Sequence, residues 1–534
     1  TNSGNAFSKL VIAASENATV VDTNAIVFGG STIGGALDVT LSGNLTQSDA
    51  LDVTGTSTID AGSGQIILDN AGNDFQDAIG VNTRIAASRA VTLVDANDLT
   101  LGAILLGSVR DTQLSLDAGG TITQDAAIEV DTLEVQSDGA TTLDHAGNLV
   151  NRLGASSVNG LKLHDSAGGL ILTGNLTSTG ETSLTTSGGQ LNLATFDLDA
   201  SGQTLSLTGV GIVQDDSQPG DVLGAGTTLD AGTGSIALTN ASNDFTGPVA
   251  ASASGSGDIA ITDTNALKLD TSSVADGTFT LNAVGISQSG AFTQSGTGAL
   301  SLNGGAGAIT FTDGSNKLNG ALTASTTGAN DISVTNSGAL KLDDVEAGGD
   351  LTINAIGVTQ TGTGLTVKGM THLTGGTASI VLEETANRFT GAVSASNSGD
   401  NLISLAADAL ILDEIAASGG GSISFQANEI SAETGDADKI TTSGEIHFKP
   451  LTATDTIGVA GETGTLKLAG NLFDNGGTIT DGASLITIGH EDQSGKITVG
   501  ASTFRDPVRF QATATGGSIE TTGKITGSGD ASVH

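Results

Sequence analysis

The chain lacks several residue types that most folded proteins use. Its 534 residues contain no Cys, no Trp, no Tyr, one Met and only four Pro. The absence of Cys excludes disulfides, thiol catalysis and cysteine-based metal sites. It is also expected of a protein that crosses a membrane unfolded, where a premature disulfide would block export. No apolar run approaches about 18 residues, so neither a transmembrane helix nor membrane insertion is predicted.

The residues that are abundant favour short strands joined by tight turns. Gly occurs 78 times, and hydrophobic residues make up 37% of the chain, which is too apolar for a disordered protein. Small aliphatic residues alternate with Thr, Ser, Asn, Asp and Gly, a composition typical of β-structure with many turns. No segment shows a sustained helical stripe, and Pro, which interrupts inter-strand hydrogen bonding, is rare.

The charge balance is strongly acidic. There are 58 acidic and 18 basic residues, which gives a net charge of −40. Such a surface repels nucleic acid phosphates and anionic membranes, so no nucleic acid partner is expected. It favours cations or positively charged partners, or it serves only to keep a long β-protein in solution.

One short phrase recurs and marks a repeat of about seventy residues. It reads NAGNDF at Asn70–Phe75 and NASNDFTG at Asn240–Gly247. Its key asparagines are Asn5, Asn73, Asn148, Asn243, Asn316 and Asn387, and the longest interval separates Asn148 from Asn243. The apolar residue that follows is Phe7, Phe75, Phe245 or Phe389, with Leu149 and Leu318 in the other copies. We predict that these Phe side chains point inward and that their Asn partners occupy turns.

Two further phrases recur with the same long period. One reads DTNAIVF at Asp22–Phe28 and DANDLTL at Asp95–Leu101. The other carries a glutamine at Gln47, Gln124, Gln214, Gln288 and Gln360, and its longest interval separates Gln124 from Gln214. The longest intervals of both series fall in the same unit, so residues 148–243 are predicted to contain about one extra coil. Taken as independent markers, the two series establish the repeat.

The strand pattern within each unit predicts a parallel β-helix, or β-solenoid, of about 18–25 residues per coil. Each strand is too short to bury its apolar face alone, whereas stacked coils cover one another. Residues 1–430 would form about six units of roughly 70 residues. From 431 to 534 the phrases fade and basic residues become more frequent, so a continuation of the β-helix with a divergent repeat is predicted. A row of antiparallel β-sandwiches, one per unit, is the alternative.

No residue pattern predicts catalysis, and the chain is expected not to be an enzyme. The best acid/base candidates are the acidic pairs Asp215–Asp216, Asp343–Asp344, Glu383–Glu384 and Asp413–Glu414. Polysaccharide hydrolases and lyases with β-helical folds use such carboxylates, but this chain has no Tyr or Trp to stack a sugar. The six His form no metal motif, and the calcium-binding spacings of the nonapeptide solenoid and the EF-hand are missing. No cofactor is therefore expected, although Asp-rich turns leave weak Ca²⁺ binding open.

The phrases NAGNDF, DANDLTL and ITQDAAI resemble the repeat regions of filamentous-haemagglutinin-like adhesins, which Gram-negative bacteria export by two-partner secretion. The run TIGHEDQSGKITVGASTFRDPV at 487–508 is similar to the downstream repeats of that family. The resemblance implies a right-handed parallel β-helix in a secreted protein at the bacterial outer surface, with roles in adhesion, aggregation or biofilm matrix contacts. It carries over no catalytic residue.

The same resemblance implies the partners. They are an outer-membrane transporter for export, a host or bacterial surface receptor or polysaccharide, and further copies of the chain through self-association. Toxin-delivery proteins of contact-dependent inhibition use similar repeats as a passive stalk, which keeps that role open. The N-terminal residues TNSGNAF are not a signal peptide and begin within the repeated phrase, so we expect a segment of a larger protein.

Overall fold

A computed structural model of the protein is nearly all β, with parallel strands stacked as a β-solenoid of about 24 turns and about 21 residues per coil. It describes residues 4–83, 89–107, 111–166, 168–215, 217–433, 437–473 and 476–534. Over these ranges the only helices are the short 3₁₀ segments Ser418–Gly420 and Gly470–Leu472, and none is long and apolar enough to cross a membrane. The predicted β-solenoid is confirmed. The alternative of antiparallel sandwiches is wrong, because strands on successive coils pair in parallel.

Most strands are only two to six residues long, as the turn-rich sequence predicts. A few extend around a corner of the coil and are longer. The strands of seven residues or more are Arg89–Asp95, Leu99–Gly107, Thr112–Ala118, Ile128–Ser137, Leu198–Thr208, Val222–Asp230, Leu340–Ala347, Val358–Val367 and Ala409–Ala417.

The chain divides into two compact units, Thr1–Leu267 and Lys268–His534. Within each unit, residues at one place in the coil pair in register with their counterparts on the next coil. In the first unit one such series is Leu45, Ile66, Val91, Leu114, Leu133 and Leu153. In the second unit one series is Ile309, Ile332, Leu351, Thr371 and Val393. This pairing satisfies the backbone of each short strand through its neighbouring coils.

Alternate strand residues point inward and form a narrow core of Val, Ile, Leu and Ala. In the second unit, stacked phenylalanines add to this core. The ring centroids of Phe279 and Phe292 are 4.3 Å apart, and those of Phe292 and Phe311 are 5.9 Å apart. A second stack contains Phe425, Phe448, Phe473, Phe504 and Phe510. Phe425 and Phe448 are register partners on successive coils, whereas Phe279 and Phe292 pair in register with Leu300 and Ser272 and meet inside the narrow core from different places in the coil.

The region after residue 430 keeps parallel pairing but changes coil length. Ile423 pairs with Ile446, Ile446 with Ile486, and Ile486 with Val508. The middle step takes nearly twice the usual length of chain, so one coil carries a long excursion. Strand pairing continues across residue 430, from Leu410 to Ile430 and on to Leu468. The pairing therefore marks no break there, and the boundary predicted at 430/431 stays a prediction.

Candidate functional site

The repeated asparagines of the first phrase are buried at the ends of turns. Asn73, Asn148, Asn243, Asn316 and Asn387 are all 0% exposed. In each, the backbone N–H donates to the carbonyl three residues earlier, at 3.1–3.2 Å. The turn position agrees with the sequence prediction. A turn position does not by itself bury a side chain, so the complete burial of these asparagine side chains has a separate cause.

That cause is a reciprocal hydrogen bond with the repeated glutamine. Gln47 Nε2 donates to Asn73 Oδ1 at 2.8 Å, and Asn73 Nδ2 donates back to Gln47 Oε1 at 3.0 Å. Four more pairs have the same two bonds at 2.8–3.1 Å: Gln124–Asn148, Gln214–Asn243, Gln288–Asn316 and Gln360–Asn387. The two sequence markers are therefore not independent, because each glutamine is the partner of the next asparagine.

Each amide pair also connects neighbouring coils through the backbone. Asn73 Oδ1 accepts a second hydrogen bond from Leu51 N at 2.9 Å. Its Nδ2 also donates to Leu68 O within its own coil and to Val94 O on the next coil, at 3.3 and 3.1 Å. Burying an amide is unfavourable unless its polar atoms have partners. Here they have partners on three coils, so the pair fixes how those coils are aligned.

The aspartate of the second phrase adds a further link. Asp95, 2% exposed, accepts hydrogen bonds from Phe75 N and Asn97 N, both at 2.8 Å. Burial raises the pKa of Asp95 above its ordinary value, although these N–H donors oppose the shift. Burial likewise raises the pKa of Asp263, the corresponding residue of a later repeat. In another repeat Asn336 takes this place and accepts from Leu318 N at 2.9 Å.

The phenylalanines of the first phrase are buried in three of four copies. Phe75 and Phe245 are 1% exposed and Phe389 is 5% exposed, as predicted. The prediction for Phe7 is wrong, since 41% of it is exposed. Phe75 has coils on both sides, whereas Phe7 lies in the first coil that the structure describes and is covered from one side only. Its N–H still donates to Asp22 Oδ2 at 2.7 Å.

Two other residues of the first phrase depart from the standard pattern. Asn5 is half-buried, and its Nδ2 donates to Val21 O at 3.2 Å, the counterpart of the contact between Asn73 and Val94. In the copy at Asn148, Val150 and not Leu149 takes the phenylalanine position. Val150 is buried and its N–H donates to Asp165 at 3.2 Å, while Leu149 is only half-buried.

The candidate acidic pairs are engaged in separate local contacts. Asp215 accepts from Ser217 N and Oγ at 2.7 and 2.5 Å, and Asp216 lies outside the described residues. Glu383 accepts from Ser404 Oγ at 2.7 Å. Asp413 accepts from Ser394 Oγ at 2.8 Å and faces Lys439 Nζ at 3.5 Å. Asp343 is half-buried and Asp344 exposed. Each contact is one that an ordinary polar surface makes.

A different set of carboxylates does converge. In the described part of the chain, the only group of three metal-binding side chains is Asp481, Asp506 and Asp530, whose ligand atoms lie within 4.8 Å of one another. They come from successive coils. Asp506 is 1% exposed and accepts from Gly482 N at 2.7 Å. Burial and the two neighbouring carboxylates raise its pKa. These residues could hold a cation, and only the stacking of the coils reveals the group.

The fold and the repeated amide pairs between coils define a β-solenoid repeat protein. Five stretches, 15–82, 88–152, 192–252, 256–325 and 329–396, match the family described as "Repeats of unknown function (DUF5649)". They cover more than half of the chain, which therefore belongs to this family. The matches leave out 153–191, within the unit where the sequence predicts an extra coil. Comparison with curated proteins and with solved structures finds no match.

Proposed function

We propose that this chain is an extracellular stalk or adhesin segment of a bacterial surface exoprotein, which mediates adhesion, aggregation or biofilm matrix contacts. The observation that carries the proposal is how the polar side chains of the repeated phrases are used in the structure. Their Asn and Asp side chains are buried in most copies, their Gln side chains are half-buried or buried, and all three form hydrogen bonds between coils. Side chains used in this way align the coils, and their polar groups are not available to bind a substrate.

The resemblance to filamentous-haemagglutinin-like adhesins supports the extracellular role. A solenoid held by inter-coil hydrogen bonds needs no disulfide, which suits a chain without Cys. Export through an outer-membrane transporter would deliver the chain unfolded, and each emerging coil could pair with the one before it. The outward positions are then free to vary and to contact a surface receptor, a polysaccharide or another copy of the chain.

The test is a binding experiment with the purified chain. Beads coated with it should bind bacterial or host cells, or glycans on an array, above beads coated with an unrelated protein of equal net charge. Failure to bind either cells or glycans would contradict an adhesin and leave the passive stalk of a toxin-delivery protein as the better account. Sequencing of the flanking chain for a toxin domain would then examine that second role.

The alternative from another class is a β-helical polysaccharide-processing enzyme. Incubation with acidic and neutral polysaccharides, followed by chromatography for shorter products, would detect it. Cleavage that disappears in Asp413→Asn or Glu383→Gln variants with unchanged circular dichroism would overturn the proposal. Weak Ca²⁺ binding stays a prediction, and Asp481, Asp506 and Asp530 are the described carboxylates closest to forming such a site.

A further inference from the structure

We propose that the outer face of the second unit binds a tetrahedral oxyanion, the chemistry of phosphate or sulfate, over the hydroxyl of Thr487. Thr487 is in register with His447 on the preceding coil and with Arg509 on the following coil. The residues on either side of it, Ile486 and Ile488, are buried in the core. Since successive strand residues alternate, Thr487 and its two register partners point outward.

The hydroxyl of Thr487 is the first observation that indicates a ligand. Although it faces outward, Thr487 is only 2% exposed, and its Oγ1 has no hydrogen-bond partner. Ser404 provides a comparison on the same strand series, two coils before His447. It is 4% exposed, but its hydroxyl donates to Glu383 at 2.7 Å. A buried hydroxyl without a partner is unfavourable, and a bound oxyanion would accept a hydrogen bond from it.

The second observation is a local excess of positive charge in an acidic chain. Burial is the largest cause of the lowered pKa of His447, and the nearby cations Lys449 and Arg509 lower it further, while Glu445 opposes the shift. Glu445 is held by His447 Nε2 at 2.9 Å. Among the described residues, neither Lys449 nor Arg509 forms an ion pair. Two cations without an acidic partner therefore lie near His447, in a chain where acidic residues outnumber basic ones by 58 to 18.

These groups match the demands of a tetrahedral oxyanion. The guanidinium of Arg509 can donate two parallel hydrogen bonds, and Lys449 supplies a compact charge with rotatable donors. The Thr487 hydroxyl contributes a donor from the coil between them. Donors on different coils, about 4.8 Å apart, approach an anion from several directions, which suits phosphate or sulfate better than a planar carboxylate. The proposal does not depend on the adhesin role.

The test follows His447 by NMR in the full-length protein labelled with ¹³C-histidine. Addition of inorganic phosphate or sulfate should raise the pKa of His447, because the anion offsets the charges of Lys449 and Arg509. Arg509→Gln and Lys449→Gln should each weaken phosphate binding about tenfold. The matched control Arg388→Gln removes an exposed guanidinium elsewhere and should leave binding unchanged.

Thr487→Val separates binding from folding. It should weaken phosphate binding by roughly five- to tenfold without lowering the melting temperature, since the hydroxyl has no partner to lose. Equal binding by Thr487→Val, or equal losses in Arg388→Gln and Arg509→Gln, would mean an adventitious ion only and would overturn the proposal. Acetate binding as tight as phosphate would contradict the tetrahedral geometry. Tighter binding of O-phosphoserine than of inorganic phosphate would identify the source as a phosphate ester on a larger partner.

Discussion

At the scale of single residues, the hydrogen-bonded pair of Gln and buried Asn explains why the chain repeats its phrases. The five pairs lie 24 to 29 residues apart in sequence, about one coil plus a turn. Each pair satisfies its own amides and also a backbone N–H of the strand it covers, such as Leu51 N. A substitution of either partner leaves several buried polar atoms unpaired.

Asn73→Ala should therefore destabilise the first unit. It removes the partner of Gln47 and of Leu51 N, for an expected loss of roughly 2–4 kcal/mol. The matched control is Asn97→Ala, an exposed asparagine in the next coil, which should change stability by less than about 0.5 kcal/mol. Urea unfolding, together with hydrogen exchange at Leu51, measures both effects. Equal stability of the two variants would show that the amide pair contributes little.

Buried Asp95 should make stability depend on pH in a definite direction. Its folded pKa lies above the ordinary value of 3.8, so between these two values the folded chain retains a proton that the unfolded chain has lost. The contribution of Asp95 to stability is full below 3.8 and falls as the pH rises through the folded pKa. Asp95→Asn removes this decline and, like Asn336, still offers an oxygen to the backbone.

Asp95→Asn should gain stability relative to the unmodified chain as the pH is raised from about 4 to about 7, measured by the urea midpoint. Asp98→Asn is the control with the opposite sign. The backbone and side-chain hydrogen bonds from Thr121 lower the pKa of Asp98, so its stabilisation is present above the ordinary pKa and is lost as the pH falls. A parallel pH profile for both variants would contradict the assignment.

At the scale of structural elements, the glycine that closes the first phrase sets how closely two coils approach. A Cβ built on Gly247 would lie 1.6 Å from Ala225 O, and one on Gly320 would lie 1.8 Å from Gly298 O. Both atoms belong to backbone on the preceding coil and cannot rotate away. The absence of a side chain at these two glycines therefore allows each coil to approach the preceding coil this closely.

Gly247→Ala should push these coils apart and lower the melting temperature by several degrees. Gly314→Ala is the matched control. A Cβ at Gly314 meets nothing within 4 Å, and Ala71 and Ala241 occupy the same turn position in other repeats. Gly314→Ala should be neutral or stabilise by up to about 1 kcal/mol through the unfolded state. If both variants melt at the same temperature, the close approach at Gly247 is not required.

At the scale of the whole molecule, the excess of acids over bases should make folding sensitive to salt. With 58 acidic and 18 basic residues, most carboxylates have no cation to pair with. Raising NaCl from about 0.01 M to about 1 M shortens the Debye length from about 30 Å to about 3 Å. Screening should therefore relieve more repulsion than attraction and raise the melting temperature. A melting temperature that falls with salt, measured by calorimetry, would show that ion pairs outweigh repulsion.

The sequence was sufficient for the solenoid and for the placement of several core residues. Alternation and turn residues predicted short strands, and Phe75, Phe245 and Phe389 were correctly placed inward. Phe7 was not, because burial depends on coils on both sides of a residue. The carboxylates Asp481, Asp506 and Asp530, and the group around Thr487, were missed because no local motif contains them. They converge only through the register of successive coils.

The sequence by itself determined the period, the strand character and the phrases of this protein, because alternation, turn chemistry and repetition are local properties of a chain. Only the tertiary structure decided that Gln47 and Asn73 are partners, and that the long excursion between Ile446 and Ile486 still leaves His447 beside Thr487. The physical reason is that hydrogen bonds between coils join residues by their place in the stack, which spacing along the chain does not reveal when coil lengths vary.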